Sequence, residues 1–515
     1  MRRGGLWRSL FCLFVLVPMI WGTAAFAAEL IVPSAEYPYI QDAIDAAAPG
    51  DTIIVGDGTY PGNLLVQKAI TIQSENGAEK TTIDCAGASR GVTFSGDEAS
   101  GAVLSGFTIT GGNGQGHGDW PGFGGAVLFL DNACATMTDC IISGNTESIF
   151  GGVVSCIGSS PVIRRCIIEN NIASYGGGLL CYLSSSPIVI GSTIKNNQAD
   201  LGAGVYLDTE ASPSFISCLI AGNSAANGGG ALAMINNCFP CLAYCTVSDN
   251  TLSEAGYYGG GGIFSYYECS TSITNSIVWG NEAAVGPEIY LFSSSIAIDH
   301  SDVRAGVEGE YIYTDGASEV QWGQGNIDQD PLFVAEGDYH LSPDSPCIDA
   351  GIALDELSSK PQGDLFEFDI EGEPRVMGSA PDMGADEFTV EEDEVIQVEI
   401  DIKPGCSQNK INLKSWGLLP VAVKTTKEFN ARDIDPSTVE FAGARPVWRI
   451  CYDVDRDRDK DMLFFFWIKK LNLDEDSSDA ILTGKTKDGK DFKGKDVVSI
   501  EKPKCKAKGW RFGRR

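Results

Sequence analysis

The sequence predicts an all-β protein in which short parallel strands stack into a long solenoid, followed by a small separate β module. One asparagine recurs along the middle of the chain at intervals of 26, 26, 26, 27 and 31 residues, as Asn145, Asn171, Asn197, Asn223, Asn250 and Asn281. A cluster of small residues, mostly glycine, follows each asparagine, and the apolar segments between these clusters are only a few residues long. A repeat of this length is typical of a solenoid, and segments this short argue against paired helices.

The first 27 residues read as a secretory signal peptide. Arg2, Arg3 and Arg8 precede the apolar stretch "LFCLFVLVPMIWG", and Ala25-Phe26-Ala27 matches the small-residue cleavage pattern. The alternative is an uncleaved anchor helix. No later stretch reaches the roughly 18 apolar residues that a membrane span needs. We therefore expect an exported protein, secreted or at the cell surface, without a membrane span.

Charge is distributed unevenly along the chain, whose net charge is −32. Residues 28–388 contain 46 acidic and 9 basic residues, whereas residues 389–515 contain 23 acidic and 25 basic residues. The change falls at the acidic linker 389–396 and predicts a domain boundary there. A body this acidic does not bind nucleic acid by charge, so polyanions would need bridging cations. We expect a monomer.

The segment "IQDAIDAAAPGDTIIVGDGTY", residues 40–60, predicts a short helix that covers the open end of the solenoid. Together with the asparagine repeat, it resembles the entry sequence of right-handed parallel β-helix proteins of the pectate-lyase-like superfamily, over roughly residues 35–300. The resemblance implies a right-handed parallel β-helix of about ten rungs, with its cap, across residues 28–302. That superfamily contains lyases, hydrolases, epimerases, tailspikes and adhesins, so the resemblance leaves activity open.

Two further segments resemble parts of bacterial exported proteins. Residues 303–388 include "DPLFVAEGDYHLSPDSPCIDAG" and "GADEF" and resemble a closing segment of β-helix proteins. The expected role of His340 and Cys347 is therefore packing of this segment. Residues 397–515, which begin near "IDIKPG" and end in a basic tail, resemble an accessory module with a β-sandwich-like fold.

Two columns of the repeat have structural interpretations. Asparagine tolerates a left-handed backbone, and its amide can pair with the amide one rung away, so we expect a buried ladder. The alternative is a row of sugar ligands. Serine or cysteine occupies a second column, in which we expect Cys140, Cys166, Cys218 and Cys245 to be buried free thiols. The alternative is a disulfide between Cys140 and Cys166, because neighbouring rungs are only about 4.8 Å apart.

An alternating acidic run in the C-terminal module predicts a calcium site. Ca²⁺ prefers six to eight oxygen ligands, and carboxylates recur here at every second position, as Asp453, Asp455, Asp457, Asp459 and Asp461. Arg458 occupies the sixth position, where an EF-hand-like loop prefers glycine, and the interspersed basic residues predict weak affinity. The alternative is an exposed acidic strand edge that prevents aggregation.

The insertion "GGNGQGHGDWPGFGG", residues 111–125, interrupts the repeat and is the predicted site of any chemistry. His117 can exchange protons near neutral pH, Asp119 can act as a base or an orienting acid, and Trp120 can stack on a sugar. The alternative is a glycine-rich loop whose tryptophan covers a rung.

Three basic residues on neighbouring rungs, Arg164, Arg165 and Lys195, are further catalytic candidates. The resemblance implies that a lyase acting on acidic sugars would need an arginine or lysine as the base. Asp139 and Glu169 lie at neighbouring positions, so salt bridges alone would also explain these residues. The lyase signatures of the superfamily are not recognisable here. The polygalacturonase set is also incomplete, since "GHGD" at residues 116–119 lacks its upstream aspartates.

The leading hypothesis is an exported, cell-surface protein that binds glycans or mediates surface contact. The alternative is a polysaccharide lyase, glycoside hydrolase or epimerase acting on a linear glycan. Binding alone predicts no cluster of titratable groups on the solenoid exterior, whereas catalysis predicts carboxylates, or carboxylates with histidine or arginine, converging in one cleft. A purely structural spacer would have no cleft.

Overall fold

The chain forms two compact units, Met1–Thr389 and Val390–Arg515. The computed structural model describes residues 27–116, 120–147, 151–253, 258–307, 309–353, 366–389, 395–406 and 408–501. Residues 1–26 of the predicted signal peptide, most of the acidic linker and the end of the basic tail lie outside these ranges. No helix within the described ranges is long and apolar enough to cross a membrane.

The first unit is a parallel β-solenoid with three long sheets, which confirms the predicted fold class. Sheet A contains Glu29–Val32, Thr52–Val55, Thr71–Ser74, Val103–Ser105, Thr136–Thr138, Val162–Arg164, Ile188–Ile190, Ser214–Ile216, Cys241–Ala243, Ser270–Thr274, Ser295–Asp299 and Glu319–Trp322. Sheet B contains Gly58–Pro61, Thr81–Asp84, Thr108–Thr110, Ile141–Ser143, Ile167–Glu169, Thr193–Lys195, Leu219–Ala221, Thr246–Ser248, Ile277–Trp279 and Asp302–Val303. Sheet C contains Leu64–Val66, Val92–Ser95, Val127–Leu130, Val154–Ile157, Leu179–Tyr182, Val205–Asp208, Leu232–Ile235, Ile263–Tyr266, Ile289–Phe292 and Ile312–Thr314.

Each rung passes from sheet A through sheet B to sheet C, and residues alternate between the core and the outside. In Val162–Arg164, for example, Ile163 is buried in the core and its two neighbours face outward. The helix Ile40–Ala46 covers the first rung with buried Ile40 and Ile44, as the entry sequence predicts. The stack extends past residue 302, because Ile312–Thr314 and Glu319–Trp322 still pair with the sheets.

The asparagine column forms the predicted buried ladder. The side-chain oxygen of Asn171 accepts from both the backbone N–H and the amide of Asn145, at 3.0 and 3.1 Å. The amide of Asn171 also donates to the Ile142 carbonyl at 2.9 Å. The same pattern repeats up to Asn281, where the side chain of Glu288 replaces the next amide and accepts from Asn281 at 2.6 Å. The ladder thus satisfies polar backbone groups that water cannot reach.

The left-handed residue of this corner is not the ladder asparagine, as the sequence argument had it, but the residue before it. These preceding residues have φ between +55° and +77°, and they are Gly144, Asn170, Asn196, Gly222, Asp249 and Gly280. A left-handed residue there turns the chain so that the following asparagine points inward. The cysteine column agrees with the sequence, since Cys140, Cys166, Cys218 and Cys245 are buried free thiols.

Two smaller groups of strands complete the first unit, and the second unit contains three sheets. A short parallel sheet beside the ladder contains Gln198–Leu201, Ser224–Gly228 and Thr251–Leu252, and an antiparallel hairpin contains Phe333–Ala335 and Asp338–Leu341. In the second unit, one four-stranded sheet contains Ile396–Val398, Ile434–Phe441, Asp479–Thr486 and Asp491–Val497. The other contains Ile400–Ile402, Leu418–Val423, Trp448–Tyr452 and Asp461–Trp467, and a strand pair contains Lys410–Ile411 and Ser499–Ile500. Both larger sheets contribute to one apolar core, which includes Phe441 and Phe464.

Candidate functional site

The closing segment folds back against the outer side of the solenoid. Its buried residues Leu341, Cys347 and Met383 pack with Ile277 from sheet B. The Ala385 N–H also donates to Thr246 Oγ1 at 3.0 Å, which ties the end of the segment to a rung. The predicted packing role therefore holds for Cys347, and the segment forms a second wall opposite sheet B.

A cleft of about 670 Å³ lies between this wall and sheet B, and we call it the closing cleft. Its lining residues are Thr193, Leu219, Thr246, Gly337, Asp338, Tyr339, His340, Ile370, Glu371, Ala385 and Asp386. The first three are the opening residues of three register-paired strands of sheet B. All the ionisable groups of the cleft come from the closing segment.

His340 is the centre of a hydrogen-bonded group in this cleft. Its Nδ1 contacts Asp338 Oδ1 at hydrogen-bond range, and its Nε2 lies 3.0 Å from Glu371 Oε1. The hydrogen bond to Asp338 raises the pKa of His340 to about 9, and the same bond lowers the pKa of Asp338. His340 is thus an imidazolium at neutral pH, and its side chain is 50% exposed rather than packed.

Asp386 is the third carboxyl group of the cleft. One oxygen of Asp386, one of Glu371 and one ring nitrogen of His340 lie within 4.8 Å of each other. Burial raises the pKa of Asp386 to about 7, with further contributions from nearby carboxylates, while His340 opposes the shift. The cleft therefore combines Asp386, which titrates near neutrality, with Asp338, which ionises readily, and two carboxyl groups of different acidity suit acid–base chemistry.

Buried Asp369 holds the acidic groups of the cleft in place. One of its oxygens accepts from the N–H groups of Glu371, Gly372 and Glu373 at 2.8–2.9 Å. Its other oxygen accepts from the Glu387 N–H at 3.1 Å, next to Asp386 in the chain. One side chain thus fixes the backbone beneath two of the three carboxyl groups.

Buried Arg375 anchors the same region to the rungs. Its guanidinium donates to Ser217 Oγ at 2.5 Å and to the Ala385 carbonyl at 3.2 Å. It also lies over the ring of Tyr244, 4.5 Å from the centroid. Desolvation by burial lowers its pKa, and Asp369 and Glu387 oppose this shift. These contacts make the outer wall of the cleft a fixed structure.

The outer face of sheet C has a different character and carries a stripe of aromatic rings. Tyr290 stacks on Tyr313 at 4.5 Å and on Phe264 at 5.5 Å, each pair being in register on neighbouring rungs. A parallel column stacks Tyr266 on Phe292 at 5.0 Å. Tyr266, Tyr290, Phe292 and Tyr313 are half-buried, whereas Phe264 is fully buried beneath them. We call this surface the aromatic stripe.

The predicted sugar-stacking residue Trp120 lies at one end of the aromatic stripe. Its ring is half-buried and packs edge-on against Phe123 and Tyr182, at 5.3 and 6.3 Å. Its carbonyl accepts from the buried guanidinium of Arg90 at 3.0 Å. Trp120 thus covers a rung and also extends the stripe. The two catalytic candidates beside it, His117 and Asp119, lie outside the described residues.

The basic candidates lie on other faces, and the structure does not bring them together with Trp120. Arg165 forms a two-pronged ion pair with Asp139, at 2.7 and 2.8 Å, at the corner between sheets A and B. Lys195 lies 3.4 Å from Glu169 on sheet B. Arg164 ends a strand of sheet A. Only Lys195 shares a strand, Thr193–Lys195, with a residue of the closing cleft. A catalytic role for these residues stays a prediction.

The predicted calcium ligands divide into two groups. Oxygens of Asp453, Asp455 and Asp461 lie within 4.8 Å of each other. Asp457 and Asp459 do not belong to that group among the described residues; Asp457 accepts the Asp459 N–H instead, at 3.0 Å. Arg458, at the glycine-preferring position, has φ +87°, the left-handed turn that glycine usually supplies. Phe464, at the twelfth position, is a core residue and not the glutamate of an EF-hand.

Sequence reasoning missed the closing cleft, because it assigned His340 to packing and gave no role to Asp338, Glu371 or Asp386. These residues come from three separate segments, "GDYHL", "DIEGE" and "GADEF", and the first and last of them, Asp338 and Asp386, are 48 positions apart. A signal existed, since a histidine with an aspartate two residues before it on a short strand shares one face of that strand. The partners from the other two segments become visible only after folding.

The chain belongs to a family described as the right handed beta helix region. Two overlapping matches to the model of this family, residues 65–239 and 177–322, together span half of the chain. A comparison with curated proteins gave no significant match.

Three solved structures are similar in fold. A polygalacturonase from Erwinia carotovora is 9% identical, with 57% of this chain and 96% of that chain covered and a TM-score of 0.31. The A-module of a mannuronan C-5 epimerase from Azotobacter vinelandii is 14% identical, with 54% and 94% covered and a TM-score of 0.25. The catalytic unit of an alpha-1,3-glucanase from Streptomyces thermodiastaticus is 12% identical, with 59% and 69% covered and a TM-score of 0.31. At these identities the likeness concerns the fold alone.

Proposed function

We propose that this protein is exported and binds a linear glycan along the aromatic stripe of sheet C. The observation that supports the proposal is a set of half-buried rings on the outer face of sheet C, namely Tyr182, Tyr266, Tyr290, Phe292 and Tyr313. The set is interrupted at Val205–Asp208, where Tyr206 is buried, and at Leu232–Ile235, which carries no ring. Four strands carry these rings, and from Tyr182 to Tyr313 they span six strands, or roughly 24 Å at about 4.8 Å per rung. Aromatic rings offer flat apolar faces with polar edges, which suit the faces of sugar rings.

The charge of the first unit favours a neutral glycan. Residues 28–388 carry 46 acidic against 9 basic residues, so an acidic polysaccharide approaching this unit is repelled unless cations intervene. Binding through stacking depends little on salt, whereas binding of a polyanion through cations responds strongly to it. We therefore expect retention on neutral polysaccharides that persists at high ionic strength.

The test is affinity electrophoresis of the full-length mature protein in gels containing neutral or acidic linear polysaccharides. The double variant Tyr266→Leu/Phe292→Leu keeps apolar bulk but removes two rings, and we expect at least about a tenfold loss of affinity, since a central aromatic contact is commonly worth more than 1 kcal/mol. Tyr266→Phe should retain binding. Trp322→Ala is the matched control, because Trp322 is an exposed aromatic on sheet A. Equal binding by the double variant would refute the assignment.

Export is part of this proposal and rests on residues 1–27. The measurement is the mass of the mature N-terminus, which we expect to begin at Ala28. A protein that retains Arg2 and Arg3 in the purified extracellular or envelope fraction would contradict cleavage.

A second proposed function is polysaccharide cleavage or epimerisation in the closing cleft. The observation that favours it is the convergence of His340 with Asp338, Glu371 and Asp386 in one cavity, since this is the arrangement that distinguishes catalysis from binding alone. Turnover should fall by at least about 10² in Asp386→Asn, because one general acid or base contributes that much. The control is His300→Gln, which changes another histidine paired with an aspartate. Unchanged turnover in Asp386→Asn would exclude this cleft.

We also propose that Ca²⁺ binds at Asp453, Asp455 and Asp461 and stabilises the C-terminal unit. The convergence of their oxygens and the left-handed backbone of Arg458 support this proposal. Lys424, 3.8 Å from Asp455, competes for the same charge, so we expect weak affinity.

A further inference from the structure

We propose that His340, Glu371 and Asp386 together bind one divalent transition-metal cation in the closing cleft. The inference goes beyond glycan binding, because the cleft is formed by sheet B and the closing segment and not by sheet C. It supplies a ligand for the second proposed function but does not require that function, since cation binding is measured without turnover.

The three ligand atoms already lie near the positions that one cation requires. His340 Nε2 and Glu371 Oε1 are 3.0 Å apart, and two ligand atoms with bonds of about 2.1 Å in a tetrahedral site are roughly 3.4 Å apart. One Asp386 oxygen lies within 4.8 Å of a ring nitrogen of His340 and of a carboxylate oxygen of Glu371. Rotation of the Asp386 side chain would close the remaining distance. The backbone need not move, because Asp369 holds it through the N–H groups of Glu371 and Glu387.

Asp338 selects the ring nitrogen of His340 that can serve as the ligand. It accepts the Nδ1 proton, so Nε2 is the nitrogen that faces Glu371. Histidine ligands in metal sites characteristically donate their other nitrogen to a carboxylate, which fixes the tautomer and increases ligand basicity. Asp338 is therefore a positioning residue. Cation binding displaces the proton that Nε2 shares with Glu371, and this proton leaves to solvent.

The ligand set and the open cavity indicate the kind of cation. One imidazole and two carboxylates suit first-row transition metals, whereas Ca²⁺ prefers six to eight oxygens. Three protein ligands leave further coordination positions free, and the cavity of about 670 Å³ provides space for water or a substrate oxygen there. Sites of this open type are characteristic of reactive rather than purely structural metals.

The test uses Mn²⁺ as the probe, because its preference for oxygen and nitrogen ligands avoids the many thiols of this chain. The full-length protein is freed of metal with a chelator and titrated with Mn²⁺, followed by electron paramagnetic resonance, in excess Ca²⁺ that fills the C-terminal loop. We expect one bound Mn²⁺ per chain. Asp386→Asn and His340→Gln should abolish binding, and Asp338→Asn should weaken it 10- to 100-fold with its three ligands intact.

His300→Gln is the matched control. His300 Nδ1 lies 3.0 Å from Asp299 Oδ2, and neither residue lines the closing cleft. This variant should bind Mn²⁺ like the unaltered protein. Circular dichroism of each metal-free variant verifies folding. Three results would overturn the inference: no bound Mn²⁺ in the unaltered protein, unchanged binding in both Asp386→Asn and His340→Gln, or complete displacement of Mn²⁺ by excess Ca²⁺. Loss of binding in Asp338→Asn alone, with the ligand variants unaffected, would also contradict it.

Discussion

Glu288 ends the asparagine ladder, and replacing it should change how the stability of the solenoid depends on pH. Its side chain is fully buried and accepts from the Gly280 N–H at 2.9 Å and from the Asn281 amide at 2.6 Å. Burial raises its pKa to about 8, although these hydrogen bonds and the charge of Arg304 oppose the shift. Glu288 therefore keeps its proton at pH values where an unfolded glutamate, with a pKa near 4.5, has lost it.

The sign and size of the effect follow from this difference. Between about pH 4.5 and pH 8 the unfolded chain loses a proton that the folded chain retains, so the stability that is complete below pH 4.5 is lost as the pH rises through 8. The slope is about 1.4 kcal/mol per pH unit, or about 2.7 kcal/mol between pH 5 and pH 7. Glu288→Gln removes this contribution. Any hydrogen bond that glutamine fails to make lowers stability equally at every pH and leaves the slope unaffected.

The assay is urea denaturation of both proteins at pH 5, 6 and 7, with the free energy of unfolding compared at each pH. Asp302 and Glu387, whose pKa values burial also raises to about 7, contribute equally to both proteins and cancel in the comparison. We expect Glu288→Gln to gain stability relative to the unaltered protein as the pH rises. Parallel curves would show that Glu288 is already ionised in the folded state over this pH range and would refute the reasoning.

Three other predictions concern the ladder, the calcium loop and the thiols. Asn223→Ala should cost about 3 kcal/mol or more in urea denaturation, because it leaves the buried Asn197 N–H without its acceptor and removes the hydrogen bonds of the Asn223 amide to the Ile194 carbonyl and to Asn250. The exposed variant Asn196→Asp should stay within about 0.5 kcal/mol, and equal losses would contradict the ladder. Millimolar Ca²⁺ should raise the melting temperature of the C-terminal unit. Asp455→Asn should abolish this rise, whereas Asp457→Asn should preserve it. No rise in the unaltered protein would favour the interpretation of the acidic run as an exposed strand edge. Thiol labelling of the native protein should reach exposed Cys134, Cys406 and Cys451 quickly and the column Cys140, Cys166, Cys218 and Cys245 only after denaturation, and rapid native labelling of that column would contradict its burial.

The periodicity of the sequence was sufficient to predict the solenoid, because every rung makes the same local contacts at its turn. A turn must satisfy its backbone groups without water, and an inward asparagine does so at every rung, as the Asn145–Asn171 contacts show. Alternation of inward and outward residues, as in Val162–Arg164, is likewise a local property of a strand. The end of the ladder was not predictable, since Glu288 lies seven residues from Asn281 and has no place in the repeat.

Periodicity did not predict the candidate sites, because a site depends on which face of the solenoid each residue occupies. Trp120 and Arg165 come from neighbouring repeats, yet the first lies on the face of sheet C and the second at the corner between sheets A and B. A rung directs neighbouring residues of the sequence to separate faces, so proximity along the chain is a poor guide to proximity in space. For the aromatic stripe, the rings were visible in the sequence, but their shared face was not.

The sequence by itself therefore determined the acidic character of the first unit, which is a property of composition. It also determined the solenoid, its helix cap and the inward columns, because these depend on contacts within a rung or between adjacent rungs. Only the tertiary structure decided that the closing segment returns along sheet B and brings His340, Glu371 and Asp386 to one cleft. The physical reason is the range of the contacts involved. Ladder partners recur at a constant separation that periodicity reveals, whereas Ala385 reaches Thr246 across 139 residues and Arg375 reaches Ser217 across 158, and each such contact is made once.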